Sequence, residues 1–136
     1  MQMERIEPPD VDSIACDTLP ACAIMVGDTL ELIGGKWAAP VILALFFAGA
    51  PLRYSDLMRA VPHITPKEMA RQLRQLEQAG LVGRRLYPAV PPRVDYWLTD
   101  LGRSIQPAIN ALAEWTKQHG LIVAQNRAAA LAPAAE

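Results

Sequence analysis

Cysteine is scarce in this chain of 136 residues: only Cys16 and Cys22 occur, both near the N-terminus. Two thiols cannot close a structural zinc site, which takes four ligands, and His63 and His119 lie far away in sequence. Neither a metal nor a cofactor is expected, and any core has to form without disulfide staples. Long apolar runs are missing too. The longest, Trp37 to Pro51, is shorter than the roughly 20 residues that cross a bilayer, and Pro40 and Pro51 fall within it. It reads as a buried helix, so no membrane partner is expected. The start, Met1-Gln2-Met3-Glu4-Arg5, has no apolar stretch and the wrong profile for secretion. A soluble, cytoplasmic protein is expected. Catalytic patterns are absent as well: no Ser/His/Asp, Cys/His or paired-carboxylate arrangement stands out. Gly34-Gly35-Lys36 lacks the spacing of a phosphate loop. The chain does not read as an enzyme.

What is present is ordinary globular material, about half apolar and a fifth charged, enough for one domain with its own core. The net charge of −1 conceals a strong asymmetry. Residues 1–31 carry Glu4, Glu7, Asp10, Asp12, Asp17, Asp28 and Glu31 against Arg5, a net of −6. Residues 32–93 carry Lys36, Arg53, Arg59, Lys67, Arg71, Arg74, Arg84, Arg85 and Arg93 against Asp56, Glu68 and Glu77, a net of +6. A local basic face attracts phosphates whatever the total charge is.

Residues 1–20, with Pro8-Pro9, Pro20 and several acids, read as a flexible acidic arm. From Ile24 a short helix is expected, ended by Gly34-Gly35. A second opens at Lys36-Trp37 and runs through Phe47, and a third, short and amphipathic, covers Arg53–Val61 with Leu57, Met58 and Val61 inward. Thr65-Pro66-Lys67-Glu68 matches a capping box and starts a helix to about Ala79, with Gly80 as its C-terminal cap. After Gly80 the apolar period changes from 3.6 to 2. The segments Leu81–Tyr87 and Arg93–Leu98 then read as a hairpin joined by Pro88-Ala89-Val90-Pro91-Pro92. Thr99 caps one last long helix that can bend at Pro107 or Gly120, and residues 127–136 read as a disordered tail. The fold class is therefore mainly α with a small β-hairpin (α+β), a winged helix-turn-helix domain over residues 21–126.

The helix over 65–79 carries the functional signal. At 100° per residue Met69, Leu73, Leu76 and Gly80 fall within about 60° of one another. Opposite them lie Lys67, Arg71, Arg74 and Gln78, a stripe that can enter a major groove. Any soluble helix has a charged side, so this helix alone does not decide the matter. The preceding short helix and turn supply the first half of a helix-turn-helix, and Arg84, Arg85 and Arg93 add cations on the hairpin. Together they point to double-stranded DNA.

Several segments carry a family resemblance: Leu30–Trp37, Tyr54-Ser55-Asp56-Leu57, Ile64-Thr65-Pro66-Lys67, Leu73–Glu77, Gly80-Leu81-Val82, Tyr87–Tyr96 and Leu98–Gly102. Over residues 25–118 the chain resembles the HxlR-type winged-helix regulators. The resemblance implies a transcription regulator that is dimeric through its terminal helices and binds a pseudo-palindromic operator. By position it implies that Thr65, Pro66, Lys67, Arg71 and Arg74 belong to the reading helix, and Arg84, Arg85 and Arg93 to the wing. Ala70 and Gln72 depart from residues common in the family, so no operator sequence is implied. Ala44-Leu45-Phe46-Phe47 replaces a commonly charged stretch, consistent with a larger dimer interface or a lipophilic cavity.

The switch, if the protein is a repressor, is open on the sequence. Many members of the family that the chain resembles carry one N-terminal cysteine about thirteen residues before the tryptophan, and some use it to sense electrophiles or oxidants. Here that position is Ile24, with Cys22 and Cys16 earlier and in acidic surroundings that disfavour a thiolate. A small-molecule effector is the other candidate, with Phe46, Phe47, Tyr96, Trp97 and Trp115 as its expected lining. The same aromatics would equally serve as core. From a different functional class, a winged helix that binds protein instead of DNA would use the same scaffold.

Overall fold

The computed structural model of the chain describes residues 19–133, with side chains from Met25 onward. The elements run α1 (Leu19–Ile33), α2 (Ala38–Ala48), β1 (Leu52–Arg53), α3 (Tyr54–Ala60), α4 (Pro66–Gln78), β2 (Val82–Tyr87), β3 (Arg93–Leu98), α5 (Asp100–Ser104) and α6 (Gln106–Leu131). The architecture is mostly helical with one small antiparallel sheet, in the order of a winged helix.

Apolar spacing builds the core. In α2 the residues Ala38, Val41, Ile42 and Leu45, spaced by three and four, are buried. They meet Leu57 of α3, Met69, Leu73 and Leu76 of α4, and Val82 and Leu98 of the sheet. The two strands of the hairpin pair from Val82↔Leu98 to Tyr87↔Arg93. Unforeseen from the sequence was β1, which joins β3 through Leu52↔Tyr96 and Arg53↔Asp95 and makes the sheet three-stranded, in the order β1-β3-β2. Two residues are too few to show an alternation, and the sequence pattern places Arg53 in the following helix.

The turn that carries the chain from α4 into the wing is tightly stapled. The Gly80 N–H donates to the Glu77 carbonyl and the Leu81 N–H to the Leu76 carbonyl, closing α4 around a glycine at φ 79°. The Thr99 hydroxyl donates to the Gly80 carbonyl at 2.6 Å and accepts from the Gly102 N–H at 3.1 Å. Gly102 packs so closely that an added Cβ would lie 2.1 Å from the Leu81 carbonyl oxygen. Leu98–Gly102 is thus the segment that locks the end of α4 to the start of α5.

Three boundaries differ from the expectation. Helix α1 begins at Leu19, inside the segment read as a flexible arm, while residues 1–18 lie outside the described residues. The last helix is two: Thr99 caps only α5, the chain breaks at Ile105, and α6 restarts with Pro107 in its first turn, where its missing N–H costs nothing. Helix α6 then continues to Leu131, so residues 127–131 are helical and not a disordered tail. The alanine run Ala128-Ala129-Ala130 has the highest intrinsic helix propensity, which carries the helix on without packing.

Among the described residues no single helix is long and apolar enough to cross a membrane.

Candidate nucleic-acid interface

Helix α4 is positioned by a cap and a tether. The Thr65 hydroxyl accepts from the Glu68 N–H at 3.2 Å, which satisfies one of the free donors of the first turn, and Pro66 stands at the first helical position. The reciprocal Glu68 bond of a full capping box does not form among the described hydrogen bonds. The Tyr54 hydroxyl reaches from the start of α3 and donates to the Pro66 carbonyl at 3.2 Å. That bond ties the two halves of the helix-turn-helix together.

The two faces of α4 are cleanly divided. Met69, Leu73 and Leu76 are buried, whereas Lys67, Arg71, Arg74 and Gln78 are exposed together with Thr65 and Pro66. Among the described residues none of these three cations has a salt bridge; the pairs that form are Arg59–Asp56, Arg93–Asp95 and Lys117–Glu114. An unpaired cation stripe retains its full charge for phosphates and base edges. The sequence reading missed Gln72, which is buried, its amide nitrogen near Gly35 in the α1–α2 turn. Its angular position at the margin of the Met69–Leu76 arc was the available signal.

The wing is organised differently. Successive strand residues point to opposite faces, so Arg84 and Arg85 part company. Arg84 shares a concavity with Tyr54, Arg74, Glu77 and Tyr96, on the α4 side of the sheet. Arg85 lies on the other face with Tyr87, Asp95 and Trp97. Of the three hairpin arginines singled out from the sequence, Arg84 thus stands on one face of the sheet and Arg85 with Arg93 on the other. Arg93 donates through Nε and Nη2 to both carboxylate oxygens of Asp95, at 2.9 and 3.0 Å. The guanidinium groups of Arg85 and Arg93 also lie over the Tyr87 ring, at 4.9 and 5.3 Å from its centroid.

Asp95 is the centre of this arrangement and was not singled out from the sequence. It is 5% exposed, and its β-ladder partners are Arg53 and Arg85. The hydrogen bonds from Arg93 hold its carboxyl below the usual aspartate range, against the opposing effect of burial, and the charges of Arg93, Arg53 and Arg85 act in the same direction as those bonds. The Arg93 guanidinium is held more firmly protonated by the same pair.

The aromatic residues expected to line one effector pocket are dispersed. Tyr96 and Trp97 point to opposite faces of β3 for the reason that separates Arg84 from Arg85. Trp97 covers Gly83, where an added Cβ would come within 2.3 Å of the indole. Phe46 packs edge-on against Phe47, centroids 5.6 Å apart, and Phe47 is 79% exposed. Trp115 belongs to a separate apolar groove of about 460 Å³ between α1 and α6, lined by Val26, Leu30, Ile33, Ala111 and Leu112 among others. Cys16 lies outside the described residues, and Cys22 falls in α1 at a position whose side chain is not described.

Comparison with known proteins agrees with this geometry. The family model described as HxlR-like helix-turn-helix matches residues 32–122. An uncharacterized HTH-type transcriptional regulator of Methanothermobacter thermautotrophicus is 47% identical over 99 residues, covering 73% of this chain and 72% of the relative. Among solved structures, the redox regulator HypR in its reduced form superposes with a TM-score of 0.65 at 34% identity, covering 74% of this chain and 98% of that one. The reduced form of the transcriptional regulator YodB from B. subtilis gives a TM-score of 0.61 at 29% identity, over 69% and 90% of the respective chains. These likenesses favour a DNA-binding regulator over a protein-interaction module. The free cation stripe of α4, the hairpin wing and the matched segment together make this chain a member of the HxlR-like helix-turn-helix family of transcription regulators.

Proposed function

We propose that the protein is a sequence-specific repressor that binds a pseudo-palindromic operator as a homodimer. Each protomer lays α4 in a major groove, with Thr65 and Pro66 at its entry and Lys67, Arg71, Arg74 and Gln78 toward bases and phosphates. The two half-sites are then about one helical turn, or a multiple of it, apart. Arg84 and Arg85 follow phosphates from the two faces of the wing, and Arg93, fixed by Asp95, holds the wing's shape while adding to its field. The observation that carries this reading is the exposed, unpaired stripe on α4 directly opposite its buried face.

The dimer is supported by apolar surface that one protomer leaves uncovered. In α6, a helix about 39 Å long at 1.5 Å per residue, only Gln106 and Ile109 are buried. Leu112, Trp115, Ile122, Met25, Val26 and Leu30 are all exposed, a collection that a second copy would cover. The effector is either a small molecule or an oxidant acting at Cys22 or Cys16. The groove beside Trp115 is where a lipophilic molecule would meet the dimer interface. The thiol alternative draws on HypR, a redox regulator with both reduced and oxidized forms solved. The site of action is the cytoplasm.

Gel shifts against genomic fragments, with salt titration and with and without oxidant, test the proposal. Arg71→Ala and Arg74→Ala should weaken binding while the dimer stays intact in sedimentation. Unchanged operator affinity in both variants would contradict the docking.

A further inference from the structure

A cleft of about 570 Å³ separates the wing loop from the β1–α3 junction. Arg53, Tyr54 and Ser55 form one wall, and residues 89–94, with Arg93, form the other. From these walls we infer that the cleft clamps one phosphate of the DNA backbone, with the Arg53 guanidinium as its charged contact and the Ser55 hydroxyl beside it. This rests on the reading of the protein as a DNA-binding regulator and adds a contact outside both α4 and the wing strands.

Three observations support it. Arg53 is exposed, and among the described residues its side chain has no salt bridge, while its backbone N–H is occupied by Asp56. Across the β-ladder Arg53 faces Asp95, whose two oxygens are both taken by the fork of Arg93. Of the arginines around that carboxylate, Arg53 and Arg93 line the cleft, and Arg93 is the one paired with it, which leaves the Arg53 guanidinium as the cation there without a salt bridge among the described residues. The cleft is also mechanically joined to the reading helix, because its wall residue Tyr54 donates to the carbonyl of Pro66, the first residue of α4. A phosphate held there lies at a fixed offset from α4 and from the wing. Phosphate contacts of this kind set register and orientation and carry no sequence information.

The test uses the full-length protein and a duplex selected from a random-sequence pool. Arg53→Ala, Arg53→Lys and Ser55→Ala are titrated across salt concentrations against that duplex and an unrelated one. With Arg53→Ala, affinity is expected to fall by the same factor on both duplexes. The slope of log affinity against log salt should become shallower by about 0.9, the value for one lost phosphate contact. Arg53→Lys should restore part of the affinity. In duplexes with single methylphosphonate linkages, one linkage per half-site should weaken the wild type and leave Arg53→Ala unchanged, a coupling that misfolding does not produce. If the wild type binds duplex and no linkage shows this coupling, the clamp is wrong and the docking of α4 stands. If the wild type binds no duplex at all, both readings fail. If inorganic phosphate competes far better than chloride at matched ionic strength while no methylphosphonate matters, the cleft holds free phosphate and the clamp is overturned.

Discussion

Helix α4 and the wing carry similar numbers of cations and use them in opposite ways. On α4, Lys67, Arg71 and Arg74 stand exposed with no acid within salt-bridge distance among the described residues. On the wing, Arg93 is spent on Asp95, Arg85 and Arg93 flank the Tyr87 ring, and Arg84 faces away from both. A helix gathers side chains spaced by three and four onto one side and needs only a buried opposite face to aim them. A two-residue period splits neighbours, so a hairpin that keeps several arginines close together needs a carboxylate and an aromatic ring to hold them. In the proposed docking, the first region contacts DNA through its free charges. The second is built to keep a projecting hairpin in shape.

The largest effect expected from breaking this contrast is on stability, through the buried side of α4. Leu76→Ala removes a fully buried side chain from the centre of the core and should cost about 2–5 kcal/mol in denaturant unfolding. A loss under about 1 kcal/mol would mean that α4 is not anchored as described. On the wing, Gly83→Ala places a Cβ against the Trp97 indole and should cost about 1–3 kcal/mol, as overpacking does. Trp97 fluorescence reports whether the ring has been displaced.

The charge comparison sharpens at the next level. Arg74→Ala should leave stability within about 0.5 kcal/mol of wild type and cost about 1–3 kcal/mol in operator binding if the residue meets a base edge. Arg93→Ala should do the reverse, lowering the thermal midpoint with a smaller effect on discrimination between operators. Equal effects of the two substitutions on both readouts would erase the distinction between the regions.

The smallest expected effect is the pH response of the wing. The folded-state carboxyl of Asp95 is held below its ordinary range. Its contribution to stability is therefore present above the ordinary aspartate range and is lost as the pH falls through the lowered folded value. Asp95→Asn should flatten the acid limb of the stability–pH curve and leave its slope near neutrality unchanged. An identical acid limb in wild type and variant would remove Asp95 from the account of the wing.

The same contrast explains what was legible in the sequence. The two faces of α4, its Thr65 cap and its Gly80 end follow from local spacing and local hydrogen bonds, and the structure reproduces them. Strand pairing and side-chain partnership are long-range, and there the reading fell short. The two-residue β1 is visible only once its partner β3 is in place. Arg93 is only two positions from Asp95, but Arg53, more than forty positions away, and Arg85 come beside that pair only through the ladder. Grouping Phe46, Phe47, Tyr96, Trp97 and Trp115 into one pocket treated neighbours in composition as neighbours in space. The alternation of β3 and the exposed course of α6 separate them. The continuation of α6 to Leu131 was hidden for the converse reason: an alanine run has helix propensity but no amphipathic pattern.

The most direct test of the division between α4 and the wing is a base-by-base binding cycle. Wild type, Arg74→Ala and Arg93→Ala are titrated against a selected duplex and its single-base-pair variants. With Arg74→Ala, discrimination should vanish at one symmetric pair of positions and persist elsewhere, while Arg93→Ala should shift every duplex alike. A discrimination profile that Arg74→Ala and Arg71→Ala both leave intact would show that the outward face of α4 does not read the DNA.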